Sequence, residues 1–488
     1  MKNLAKNYKS LILIAVLAVI LISCGQNKKP VNKNLVIVAG QITNPNKDSV
    51  WLRIEPSIGR DYISYGDKLN ENGSFNIHFE TNKAIPVTFY DGKETTQMFV
   101  NPDDSIYLTL NTKEFDETIK YSGKGADKNN YLSQKYLKFD DNPEYNLWTL
   151  IDSLSPKQYK SVVDKKKAEW KKMFSEFTSK HNTPKDFVRF EETNIAFENG
   201  LDIFMYISGK RDYKIGYDTV NIPAGFYESF ASLANYKNPY KMSNQYNIYY
   251  NYYYPQYLTI VNSDLFKDKK GDQRDSLNLS LYKKYMDGYE KERAIANFFY
   301  GKISTYKVDY FEKHRDYFDE NVKDARLKNY VLNEYDRVKK QLAQDMPEGV
   351  NLVNLERKEY ANTTFNDIIA KYKGKVIYLD FWASWCGPCK GEMPYSLKMQ
   401  DYFKGKDIAF VYISSDRDSV AWKQMIKILQ ITGDHYRASK RVRKEYNNLY
   451  NVRYIPRYVI IDKKGKTVDD NAKRPSNLAV RKDIEALL

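Results

Sequence analysis

The chain is 488 residues long, 42% apolar and 28% charged, with a formal charge of +15. That length asks for about three domains, and the apolar share is that of a packed protein, which excludes a wholly disordered chain. The lysines are spread among nearly as many acids, with no basic run and no reading motif, which excludes nucleic acid as the expected partner.

Residues 1–23 read as an export signal. Lys2, Lys6 and Lys9 precede the apolar run Leu11–Ile22, which is the length of a signal-peptide core and short for a spanning helix. The run closes on Leu21-Ile22-Ser23-Cys24-Gly25, which resembles the lipobox of bacterial lipoproteins. That resemblance implies cleavage before Cys24, a lipid on its sulfur, and attachment to the membrane through that anchor. The expected location is therefore the cell envelope, facing the periplasm; an uncleaved anchor helix is the alternative. Residues 24–34 are polar and read as a tether.

Over residues 35–125 short alternating runs are separated by turn signals. The runs begin at Leu35, Val50, Ser74, Val87 and Ile106, and Asn44-Pro45-Asn46, Glu71-Asn72-Gly73 and Asn101-Pro102-Asp103 break them. This spacing predicts a small antiparallel β-sandwich. Residues 126–345 change to helical periodicity over Lys157–His181, Phe187–Ser208, Leu277–Tyr306 and Ala325–Leu342. The tyrosine-rich stretch 246–257 has two readings: an aromatic surface that grips a partner, or helix packing with hydroxyls that reach water.

Residues 346–488 alternate strand and helix, which predicts a sheet covered on both faces. Strands are expected over Lys375–Phe381, Ile408–Ser414 and Arg457–Asp462, and helices over Cys386–Phe403, Ser419–Gln430 and Ser476–Leu488. Cys386-Gly387-Pro388-Cys389 follows the first strand and opens the first helix. Unpaired N–H groups at a helix N-terminus stabilise a thiolate, the form that attacks disulfides. Cys386 is the expected nucleophile and Cys389, one turn in, the resolving thiol. Pro388 is tolerated because an N–H at that position would be unpaired. Asp380, six residues before Cys386, and Glu392, three after Cys389, are candidates to take the proton from Cys389. Ile455-Pro456 precedes a strand, where a cis bond would offer backbone to an extended substrate. Trp385 is expected at the active-site surface and Trp382 in the core. The thiol chemistry asks for no cofactor. No metal is expected either, because His78, His181, His314 and His435 are scattered and two thiols alone make no site.

Asp380-Phe-Trp-Ala-Ser-Trp-Cys-Gly-Pro-Cys-Lys390, with Pro394 and Ile455-Pro456, resembles the thioredoxin-like thiol–disulfide oxidoreductases of the bacterial envelope that include the cytochrome-c-maturation reductases. Asp380 matches the buried acid of thioredoxin, Glu392 the helix acid of the cytochrome-maturation branch, and Ile455-Pro456 the cis-proline loop. The interval between Cys386 and Pro456 leaves room for that branch's extra βα unit. The whole chain resembles envelope lipoproteins with a β-rich domain, a helical spacer and this C-terminal domain, often described as peroxiredoxin-related. The segment Tyr121–Tyr131 adds to that likeness.

The expected function is reduction of disulfides in envelope proteins by the Cys386–Cys389 dithiol. Apocytochrome c is a candidate substrate, and a membrane electron donor is implied. A thiol peroxidase is the first alternative, although Ala383-Ser384-Trp385 lacks the Thr-x-x-Cys context of a peroxidatic cysteine. A binding or scaffold lipoprotein with an accessory redox domain is the second.

Overall fold

Alternating apolar and polar residues make every second side chain of the first strands face one core. The computed structural model describes residues 34–55, 62–212 and 222–488, so the signal segment, Cys24 and most of the tether lie outside it. Two sheets result. One has the order β4 (Ser74–Glu80), β1 (Leu35–Thr43), β7 (Ser105–Asn111), β8 (Lys120–Lys124); the other β3 (Ile63–Lys68), β2 (Ser49–Ile54), β5 (Ile85–Tyr90), β6 (Thr95–Val100). Val38, Leu52, Ile77, Phe89 and Leu108, drawn from both sheets, share one buried cluster. The sandwich is not wholly antiparallel, because β1 and β7 run parallel. Parallel neighbours need a crossover, and the strands of the other sheet supply it. His78 lies on the outer face of β4.

The segment Tyr121–Tyr131 is the seam between sandwich and helices. Gly123 and Gly125 take positive φ values of 86° and 94°. Asn129 pairs with the backbone of Phe99 in both directions (2.8 and 3.1 Å), and Asn130 does the same with Tyr121 (2.9 and 2.8 Å). Lys128 meets Asp104 at 2.7 Å with both side chains buried. Phe99, fully buried, then packs on Phe187, Phe190 and Tyr240. Replacing it with Ala should cost about 4 kcal/mol in a denaturant titration, by lost burial plus a cavity, with no change in thiol chemistry.

Among the helices, Pro156–Lys180 opens on a capping box from Ser155 and Gln158, and Lys185–Asp212 runs against it. The expected single helix over Leu277–Tyr306 is two, Asp272–Tyr285 and Gly288–Ser304, because Gly288 takes a φ of 51° at the break. The tyrosine-rich stretch is packing. Tyr246, Tyr249, Tyr250 and Tyr254 are buried. The hydroxyls of Tyr249, Tyr250 and Tyr254 donate to the carbonyls of Phe230, Ala234 and Tyr285 rather than to solvent. Among the described residues no helix is long and apolar enough to cross a membrane.

The described residues fall into two compact units. One runs to Phe298 and takes in Asp316–Tyr330; the other is Phe299–Arg315 with Val331–Leu488. The second unit thus contains more than the α/β segment. Tyr306, at a φ of 65°, packs on the cluster of Trp382, Trp422, Cys386 and Cys389.

The six-stranded sheet of this unit has the order β14 (Thr467–Asp469), β13 (Arg457–Ile461), β10 (Val376–Trp382), β11 (Ile408–Ser414), β12 (Gly433–Arg437), β9 (Val350–Asn354). The strands β10, β11, β12 and β9 pair in parallel, and β13 runs antiparallel to β10 and to β14. Every residue of β10 is buried. Its Ile377, Leu379 and Phe381 enter the cluster that contains Phe365, Tyr446 and Tyr450, while Val376 and Tyr378 meet Met399 of the helix Gly387–Tyr402 and Phe403 at its C-cap. The room between Cys386 and Pro456 holds β12 and the helix Lys440–Tyr450 in addition to β11 and Ser419–Leu429.

Candidate active site

The helix Gly387–Tyr402 begins directly after β10, and Cys386 is its N-cap. The Cys386 N–H donates to the Ala383 carbonyl at 3.0 Å, and the Cys389 N–H donates to Cys386 Sγ at 3.1 Å. The two sulfurs are joined as a disulfide. Cys386 retains 4% of its surface and Cys389 none, so an incoming sulfur meets Cys386 first. Pro388 lies in the first turn, and Pro394 inside the helix removes one donor from its ladder.

Asp380 lies on the same face of β10 as Tyr378 and Trp382, the face on which this helix packs. It is 1% exposed, and among the described residues neither carboxylate oxygen accepts a hydrogen bond. Tyr412 on β11 and Tyr458 on β13 are its register partners, so aromatic walls flank it on both sides. Burial, helped by the nearby Glu392 charge, holds its carboxyl well above the ordinary range. Glu392 is bound differently: it accepts from Ser476 N and Oγ, both at 3.0 Å, and lies 3.9 Å from an Arg474 nitrogen. The structure therefore brings both expected acids to the interior beneath the cysteines but leaves only Asp380 unengaged.

Ile455-Pro456 is cis, and Ile455 packs on the cluster holding both cysteines. Trp385 is 68% exposed beside Cys386, Trp382 is fully buried, and Gly387 has open space where a Cβ would be.

Sequence reasoning missed the device that holds the loop ahead of Cys386. Buried Asp416 accepts from Ser384 N at 2.9 Å, Ser384 Oγ at 2.6 Å and Ser414 Oγ at 2.6 Å. Its own carbonyl accepts from Arg437 and Arg443. The available signal was its place just past the end of β11, where loops of a parallel sheet line the site. Asp416→Ala should cost about 3 kcal/mol in urea unfolding, since three donors lose a charged acceptor. His435 was also unplaced. It stacks on Tyr412 at 4.6 Å, and burial pushes its ring down to about 4, which keeps it uncharged.

Residues 374–467 match a thioredoxin-like family model. Part of the chain is also similar to curated thiol–disulfide oxidoreductases named ResA. The protein from Bacillus thuringiensis subsp. konkukian is 29% identical over 119 residues, which is 23% of this chain and 67% of that one. The protein from Bacillus anthracis is 28% identical over 134 residues, 28% of this chain and 71% of that one. Through this domain the chain is similar to thioredoxin-like thiol–disulfide oxidoreductases. Among solved structures, the oxidoreductase domain resembles the thioredoxin domain of a thiol–disulfide oxidoreductase from Bacteroides vulgatus: 28% identity, 24% of this chain, 83% of that one, TM-score 0.22. A thiol:disulfide interchange protein from Bacteroides sp. is also 28% identical, over 24% and 76%, with a TM-score of 0.22. These likenesses cover about a quarter of the chain and say nothing of the sandwich or the helices.

Proposed function

We propose that this oxidoreductase is a lipid-anchored reductase of disulfides in envelope proteins. The observation that carries the reading is the Cys386–Cys389 pair at a helix N-terminus over the buried, unengaged Asp380. In the reduced protein the Cys386 thiolate attacks a substrate disulfide, forms a mixed disulfide and releases one substrate thiolate. Cys389 gives its proton to Asp380 and attacks Cys386 Sγ, which releases the second thiolate and closes the Cys386–Cys389 bond. Two electrons pass to the substrate, and the two protons on its thiols are those the protein's thiols lost. A membrane dithiol donor resets the pair. Reduction is favoured over oxidation because Cys-Gly-Pro-Cys sites have potentials near roughly −270 mV, far below oxidants at about −120 mV.

Apocytochrome c fits as a substrate because the active-site motif resembles that of the cytochrome-c-maturation reductases. The lipid on Cys24 supplies the anchor, and labelled palmitate should enter the wild type and not Cys24→Ser. The central test is insulin reduction driven by dithiothreitol. Wild-type protein should precipitate the insulin B chain, and Cys386→Ser should leave only the uncatalysed rate. A wild type that neither accepts electrons from dithiothreitol nor reduces insulin would overturn the reading.

A further inference from the structure

The loops around the disulfide carry a charge pattern that the thiol chemistry does not use. Lys390 follows Cys389 directly. Arg453 and Arg457 flank the Ile455-Pro456 bond, and Arg457 lies in register with Phe381 at the end of β10. Arg417 follows Asp416, whose carboxylate holds the loop of Ser384. Arg474 reaches toward Glu392, the acid one turn beyond Cys389. Five cations thus stand within a residue or two of groups that build the site.

Their ionic partners are few. Arg417, Arg453 and Arg474 are exposed, and Lys390 and Arg457 are half-buried. Lys390, Arg417, Arg453 and Arg457 make no ion pair among the described residues. Arg453 donates to the Asn451 side chain, and Arg457 donates to the Asp470 carbonyl. The acids of the same loops are as many but mostly committed. Asp418 caps the helix Ser419–Leu429, Asp469 accepts from the Asn471 N–H, and Asp416 and Glu392 are bound as described. Asp418 and Asp470 are the exposed acids among them, and Asp418 is held as a helix cap. Some cations elsewhere on the domain are neutralised, as in Lys473–Asp483 and Arg441–Glu445, whereas these four stand together around the disulfide.

We propose that this rim of unpaired cations selects polypeptides whose disulfide is flanked by acidic residues. The inference rests on the reductase reading and names its substrate class. A like-signed rim raises the local concentration of an anionic partner and its encounter rate, and salt removes the effect. Exposed Trp385 beside Cys386 and Tyr454 beside the cis bond offer apolar contact within the same rim, so the acidic segment docks extended between them.

The test uses the full chain, reduced with dithiothreitol and freed of reductant, in single-turnover stopped flow with tryptophan fluorescence as readout. Three disulfide peptides differ only in Glu, Gln or Lys next to each cysteine. At low salt the Glu peptide should react about tenfold faster than the Gln peptide and the Lys peptide more slowly; about 0.5 M salt should merge the three. The double variant Arg417→Glu with Arg453→Glu should lose or invert the order while reducing the Gln peptide at the wild-type rate. Equal rates at low salt, or a preference that survives both salt and the double variant, overturns the inference alone. If the Gln peptide is not reduced either, the reductase reading fails and takes this inference with it.

Discussion

In a Cys389→Ser variant, reduction should stop after its first step and leave the substrate covalently held on Cys386. Cys386 is the sulfur at the surface and at the helix N-terminus, where a thiolate is favoured, whereas Cys389 has no exposed surface and points its reactivity inward. Without the second sulfur, nothing inside the protein can attack the mixed disulfide. Turnover of insulin should fall by about a thousandfold or more, because both cysteines act as one unit. A non-reducing gel should show a higher-mass band that dithiothreitol dissolves. Cys386→Ser should be equally inactive but form no such band, since the remaining thiol is buried. A band from Cys386→Ser and none from Cys389→Ser would reverse the assigned order of attack. The same trapping variant, expressed in the envelope, would report which proteins the site meets.

The redox domain was legible in sequence because its chemistry is local. One strand, one turn and one helix start place Cys386, and Asp380 follows from its spacing along that strand. The strand Ile408–Ser414 was read with the bounds it has. What escaped was set by tertiary partners. Strands β9 and β12 are short and carry polar residues such as Asn351, Asn354 and Asp434, so no alternating pattern announces them. Asp416 looks like any loop acid until β11 and the Cys386 loop are brought together. Glu392 and Asp380 read alike in sequence, and only the position of Ser476, far along the chain, separates the engaged acid from the unengaged one. In the sandwich the alternation gave the layers, but it could not reveal that β7 lies parallel to β1, because strand direction depends on the crossover and not on the pattern.

Asp380→Asn should slow the reaction and stabilise the fold, two effects with one cause. In its proposed role as acceptor of the Cys389 proton, Asp380 contributes general-base catalysis, so its amide variant should lose about 100-fold in insulin turnover near neutral pH. Trapping at Cys386 should persist, since the first attack does not need Asp380. Glu392→Gln should lose only about tenfold, because Glu392 is already committed to Ser476 and Arg474. A larger loss from Glu392→Gln than from Asp380→Asn would exchange their roles. The stability effect follows from the raised carboxyl. The folded chain holds the Asp380 proton to a higher pH than the unfolded chain does. Raising the pH from the unfolded carboxylate range through the folded value therefore removes stability from the wild type. The variant has no such group, so it should be the more stable protein above that range, with a gap that opens as pH rises and stops growing past the folded value. His435 acts with the opposite sign. Its ring is held down to about 4, so stability is lost as pH falls from the ordinary histidine range through that value. Both proteins carry His435, so it cancels in the difference between their urea midpoints. A difference that is flat from pH 4 to 8, or that favours the wild type, would mean that Asp380 is paired in solution and is not the base.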